Sequence, residues 1–198
     1  MGRCILKCSG IDTAMNSPPS IQSVIRMFTD FGLLSRFDIN YNTFCRWLLT
    51  VKKNYRNETV KYHNWYHAFN VCQTMYCMLK NTGWNDRFGQ VRQGRCCFFS
   101  STIGCIESGK FQVECLGLLI ACLGHDLDHR GTTNSFQIKA KNSLATLYAS
   151  STMERHHLNQ CLLLLNIPGN RILENMSEVA IKNWLSRVTL CRKNKGKS

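Results

Sequence analysis

Apolar residues recur three and four positions apart along most of this chain, the spacing that puts them on one face of an α-helix. Ile21, Val24, Ile25 and Phe28 form the first stripe, with Ser20 placed to cap it. Asn42 precedes a second stripe of Phe44, Trp47, Leu48, Val51 and Tyr55. A third carries Trp65, Ala68, Phe69, Cys72, Tyr76 and Leu79, and Gly83 in "NTG" is suited to end it. "ECLGLLIACLG" is apolar all round, which predicts a buried central helix. Another helix is marked by Ser151, Met153, Leu158, Cys161, Leu162 and Leu165 and closed by Pro168-Gly169, and Ser177 precedes a last stripe of Ile181, Trp184, Leu185 and Val188. No stretch alternates with period two, so the predicted class is all-α.

Three segments break this pattern. Residues 1–19, ending in "NSPPS", read as an irregular lead-in to a domain over 20–185. Residues 92–113, "RQGRCCFFSSTIGCIESGKFQV", lack helical periodicity and read as an insertion or a retained intron. Residues 186–198 read as a basic tail.

Composition narrows the class. Of 198 residues 44% are hydrophobic, which fits a globular chain rather than a disordered one. The formal charge of +13 looks like a nucleic-acid footprint until it is mapped, because from Lys182 to Ser198 there are six basic residues and no acid. Outside that tail, basic residues gather only at Lys52, Lys53, Arg56 and Lys61, and no recognition motif or aromatic-lined groove accompanies them, so nucleic acid is not an expected partner. The twelve cysteines include no C-x-x-C pair, and Cys72, Cys115, Cys122 and Cys161 fall on apolar helical faces. They read as buried thiols of a cytoplasmic protein. No apolar run is long enough to span a bilayer.

The histidines carry the chemistry. All six lie in three clusters: His63 and His67, His125 and His129, His156 and His157. His63 and His67 stand four apart in "YHNWYH", inside a run that reads as helical, so one helical face would present both imidazoles. Alone, H-x-x-x-H also describes ordinary surface or core histidines. "GHDLDHRG" changes the picture by packing His125, Asp126, Asp128 and His129 at the end of the most apolar helix, where unliganded polarity would be costly. Imidazole and carboxylate together suit Zn²⁺ and similar divalent ions, and a pattern that ignores the thiols resembles an open catalytic site. An adjacent His-Asp pair also permits one carboxylate to bridge two metals. In the third cluster, Ser151 and Glu154 have capping-box spacing, and His156 and His157 read as polar-face residues.

Taken together, "VKKNYR…YHNWYHAFNVCQ", "LLIACLGHDLDHRGTTNS" and "LATLYASSTMERHHLNQCLLLL" resemble the catalytic domain of class I 3′,5′-cyclic-nucleotide phosphodiesterases, most closely the dual-specificity type-eleven branch. The resemblance runs from about Ile21 to Ile181 and covers the N-terminal half of that domain. It implies hydrolysis of cAMP, cGMP or both to the 5′-monophosphate, with two divalent ions, Zn²⁺ and Mg²⁺ or Mn²⁺. His63 would be the general acid; His67, His125 and Asp126 would be metal ligands, with Asp126 bridging; His129 and Glu154 would stand around the second ion; Tyr62 would line the substrate pocket. Tyr66 replaces an arginine common in the family, and Thr133 a common asparagine. The family's remaining zinc-binding aspartate, purine-orienting glutamine and hydrophobic clamp fall in the other half of the domain, and no aspartate follows Asp128. A shell of three protein ligands implies weak metal retention and little turnover, and uncovered helix faces imply self-association or association with another chain. Two rivals follow: another metal-dependent phosphohydrolase of the His-Asp superfamily, or an inactive splice product that binds a full-length partner.

Overall fold

A computed structural model describes residues 18–81, 108–148, 150–176 and 181. Most of the lead-in, Gly83, residues 92–107, the stripe beyond Ile181 and the basic tail lie outside them. Among the described residues the chain is helical and without strands, as the periodicity predicts: α1 Pro19–Asp30, α2 Leu33–Arg36, α3 Tyr41–Lys53, α4 Trp65–Asn81, α5 Ser108–Gly124, α6 Asn134–Lys139, α7 Ser143–Leu147 and α8 Thr152–Asn166.

The helix starts differ from those expected in instructive ways. α1 begins at Pro19 with Pro18 in the cap position, because proline's fixed φ favours a first turn and its missing N–H is not needed there. α3 is capped by Asn40 rather than Asn42: the Asn40 Oδ1 accepts from the N–H groups of Asn42 (2.9 Å) and Thr43 (3.2 Å). α5 starts six residues earlier than its apolar run, so 108–113, read from sequence as part of an aperiodic segment, are helical. At the other end, α8 gives way to a turn in which Gly169 takes φ +85°, as the Pro-Gly pair predicts.

Packing follows the apolar stripes. α5 is the central helix and lies against both α4 and α8. Cys115, Leu116, Leu119, Ile120, Cys122 and Leu123 are all buried on it. Around it close Trp65, Ala68, Cys72, Tyr76 and Leu79 from α4, and Phe28, Phe44, Trp47 and Leu48 from α1 and α3. Each such side chain contributes on the order of 1.5–3 kcal/mol by leaving water. At the end of α5 the backbone meets α8 so closely that a Cβ on Gly124 would stand 2.6 Å from the Cys161 Sγ. That contact fixes where the next residue, His125, emerges. Tyr55 completes the seam by donating its hydroxyl proton to the Leu123 carbonyl at 2.8 Å. No helix among the described residues is long and apolar enough to cross a membrane.

Candidate metal centre

Two chain segments converge at the end of α5. The first is the connector from α3 to α4. Asn64 caps α4 by accepting from the N–H groups of Tyr66 (3.0 Å) and His67 (3.3 Å), while Asn57 accepts from the Trp65 N–H at 2.9 Å. α4 therefore starts at Trp65, which leaves Tyr62 and His63 in the bend before it. His63 and His67 do not share a helical face, yet their rings still meet edge to face at 5.6 Å between centroids. The second segment is the turn that follows α5 and carries His125, Asp126, Asp128 and His129.

His67, His125 and Asp126 form a closed triangle. The two Nε2 atoms are 3.2 Å apart, and the Asp126 Oδ2 lies 3.5 Å from His67 Nε2 and 3.1 Å from His125 Nε2. Ligands about 2.0 Å from a tetrahedral ion are themselves separated by about 3.3 Å, so the triangle has the dimensions of one face of a coordination shell. Tautomers agree with this. The Nδ1 of His125 stands 2.8 Å from the Cys122 carbonyl, which can only accept, so Nδ1 carries the proton and Nε2 presents a lone pair. Desolvation, then the neighbouring His125, lowers the pKa of His67 and favours its neutral, ligating form. Burial alone would raise the pKa of Asp126; protonation of His125, whose Nε2 then donates to Oδ2, outweighs it and brings it down to about 2.

A second set shares the same aspartate: single ligating atoms of Asp126, His129 and His157 lie within 4.8 Å of one another. The Asp126 Oδ1, opposite the oxygen of the triangle, is 3.9 Å from His157 Nε2. His157 donates from Nδ1 to the Leu127 carbonyl at 2.6 Å, so its Nε2 is also a lone pair. His129 is the reverse. The Gly131 N–H donates to its Nδ1 at 2.9 Å, so the neutral ring holds its proton on Nε2. The neutral His129 and His157 rings are therefore opposite tautomers.

The other expected residues gather around these. His63 stacks on His129 with centroids 4.0 Å apart, and Tyr62, 66% exposed, packs against both His63 and His67 at 4.9 and 4.8 Å. Glu154 stands to one side, accepting from Asn134 Nδ2 at 2.9 Å; its charge slightly opposes the lowering of the His129 pKa, which desolvation dominates. The capping box does not form: Ser151 has φ +49° and makes no capping bond, and Asn134 caps α8 from a distance by accepting from the Met153 N–H at 2.8 Å.

Two histidines were misread from sequence. His156 and His157 are 5% and 2% exposed, not polar-face residues. The signal was present, since Met153, His157, Cys161, Leu164 and Leu165 form one buried stripe, turned slightly from the stripe through Leu158 and Leu162. Cys72, Cys115, Cys122 and Cys161 are buried as expected; burial pushes Cys115 and Cys122 up to about 12, which holds them as thiols.

The all-α domain thus gathers histidines and one shared aspartate at the end of its central helix, in two groups that could each hold a metal ion. The chain belongs to the 3′5′-cyclic nucleotide phosphodiesterase family, whose model matches residues 62–191. It is 49% identical over 166 residues to the dual 3′,5′-cyclic-AMP and -GMP phosphodiesterase 11 of Drosophila melanogaster, an alignment covering 84% of this chain and 10% of that protein. The cGMP-specific 3′,5′-cyclic phosphodiesterase of the same organism is 49% identical over 156 residues, 79% of this chain and 12% of its own length. Among solved structures, the phosphodiesterase domain of the rhodopsin phosphodiesterase of Salpingoeca rosetta matches with a TM-score of 0.71 at 29% identity, over 90% of this chain and 47% of that one. The chain therefore spans about a tenth of the curated relatives it matches and about half of the solved domain.

Proposed function

We propose that residues 20–185 supply the metal-binding half of a 3′,5′-cyclic-nucleotide phosphodiesterase active site in the cytoplasm, acting on cAMP, cGMP or both. The observation that carries this reading is the triangle of His67 Nε2, His125 Nε2 and Asp126 Oδ2, with edges of 3.1–3.5 Å. These three would hold Zn²⁺, and the other oxygen of Asp126, with His129, His157 and Glu154 around it, would face Mg²⁺ or Mn²⁺. When bound, such ions supply Lewis acidity, lowering the pKa of water and offsetting charge on the phosphate.

The chain's own residues have separate tasks. His63, beside the triangle yet outside it, holds the proton that passes to the 3′ oxygen as the P–O3′ bond breaks and water's oxygen bonds to phosphorus. Stacking on His129 fixes the plane of that ring. Tyr62 presents an exposed aromatic edge on which a nucleotide can rest. The test is hydrolysis of cAMP and cGMP with Zn²⁺ and Mg²⁺ supplied: His63→Ala lowers kcat by about 100-fold or more with metal content unchanged. Hydrolysis indifferent to both His63→Ala and His67→Ala would contradict this reading.

A further inference from the structure

Asn54, Tyr55 and Arg56, at the start of the α3–α4 connector, all bond to the end of α5 and the turn after it. The Asn54 carbonyl accepts from the Asp128 N–H at 3.1 Å. Tyr55 donates to the Leu123 carbonyl at 2.8 Å, and Arg56 Nε donates to Asp128 Oδ1 at 2.7 Å. The other Asp128 oxygen accepts from His156 Nε2 on α8 at 2.8 Å. Asp128 stands two residues from Asp126 but serves neither set of ligating atoms. It has φ +56°, a conformation that aspartate tolerates better than most residues and that surrounding contacts must hold in place.

We infer that Arg56 and Asp128 are positioning residues, whose ion pair sets the distance between the half of the centre carried by the connector and α4 (His63, His67) and the half carried by the turn (His125, Asp126). The inference rests on the metal-centre reading above. Its physical basis is that the connector reaches His63 only seven residues beyond Arg56, while the turn reaches Asp126 two residues before Asp128. The ion pair therefore adds a short side-chain link to the Asn54 and Tyr55 bonds that close the same frame. A pair this exposed, with Arg56 46% accessible, contributes little to overall stability, so its effect falls on ligand geometry.

The experiment titrates the full 198-residue chain with Co²⁺ as a coloured stand-in for Zn²⁺, in the wild type, Arg56→Met, Asp128→Asn and the double variant. Each single change should weaken Co²⁺ binding about tenfold and alter its visible absorption, as loss of a residue orienting metal ligands does. The double variant should be no weaker than the weaker single, since both remove one shared contact. Wild-type affinity and spectrum in Arg56→Met, or strictly additive losses, would overturn the inference. His67→Ala separates it from the reading beneath: Co²⁺ binding indifferent to His67 sinks the metal centre itself. In that event amide hydrogen exchange at 125–131 in the metal-free chain decides, with a rise of about tenfold in Arg56→Met expected from an opened link and unchanged exchange overturning it.

Discussion

The first and third histidine pairs sit in contrasting surroundings. His63 and His67, four apart, face an open site with an exposed tyrosine against them. His156 and His157, adjacent on α8, are almost fully buried, and each uses a ring nitrogen to hold the turn that carries the ligands: His156 through Asp128, His157 through the Leu127 carbonyl. Spacing does not distinguish chemistry from support. What does is where each ring's free nitrogen points, and that depends on a carbonyl or carboxylate from another element.

This contrast can be broken, beginning with the largest effect. His67→Ala should lower Zn²⁺ affinity by more than about 100-fold, beyond the range for residues that merely orient ligands, while metal-free thermal unfolding stays within about 2 °C of wild type. His157→Ala should do the reverse in kind, costing about 2–3 kcal/mol in denaturant unfolding because it empties a buried position and leaves the Leu127 carbonyl unpaired. Zn²⁺ affinity at the His67–His125–Asp126 triangle falling with His157 while stability holds would erase the distinction.

Acid should expose the same difference. The pKa of His157 is lowered to about 4, chiefly by desolvation, so the folded chain disfavours its charged form. The stability it contributes is complete above the unfolded histidine value of about 6.5 and is lost as pH falls toward about 4, a loss of up to roughly 3 kcal/mol. Asp126, with its pKa brought down to about 2, acts in a lower window: its contribution is present above about 4 and disappears toward 2. Unfolding followed from pH 7 to 4 should show a slope that His157→Gln flattens. A smaller effect is expected of Asn134→Ala, about 1 kcal/mol, from loss of the cap to the Met153 N–H.

Much of this architecture was legible in the chain. Long stripes at Ile21–Phe28, Phe44–Val51 and Trp65–Leu79 predict α1, α3 and α4, because half-buried helices of three turns or more repeat their apolar positions often enough to be seen. α2, α6 and α7 have four to six residues and cannot. The first turns of α5 contain Ser108 and Gly109 and carry no propensity signal; their helix is set by its continuation into the core. The capping box failed for a reason of geometry, since Ser151 adopts left-handed φ and Asn134, 19 residues before the Met153 whose N–H donates to it, takes its place. The site was legible as residue types, with His67, His125 and Asp126 brought together as expected. Its supports, Arg56, Asp128, His156 and His157, were not, because each acts through a contact between distant elements.

The account stands on His67, His125 and Asp126 forming a metal centre in a chain with twelve cysteines. X-ray absorption at the zinc edge, on the chain loaded with one equivalent of Zn²⁺, tests that directly. Nitrogen and oxygen neighbours at about 2.0–2.2 Å, with one imidazole lost in His125→Ala, are expected. A shell containing sulfur at about 2.3 Å, unchanged by His125→Ala, would contradict it.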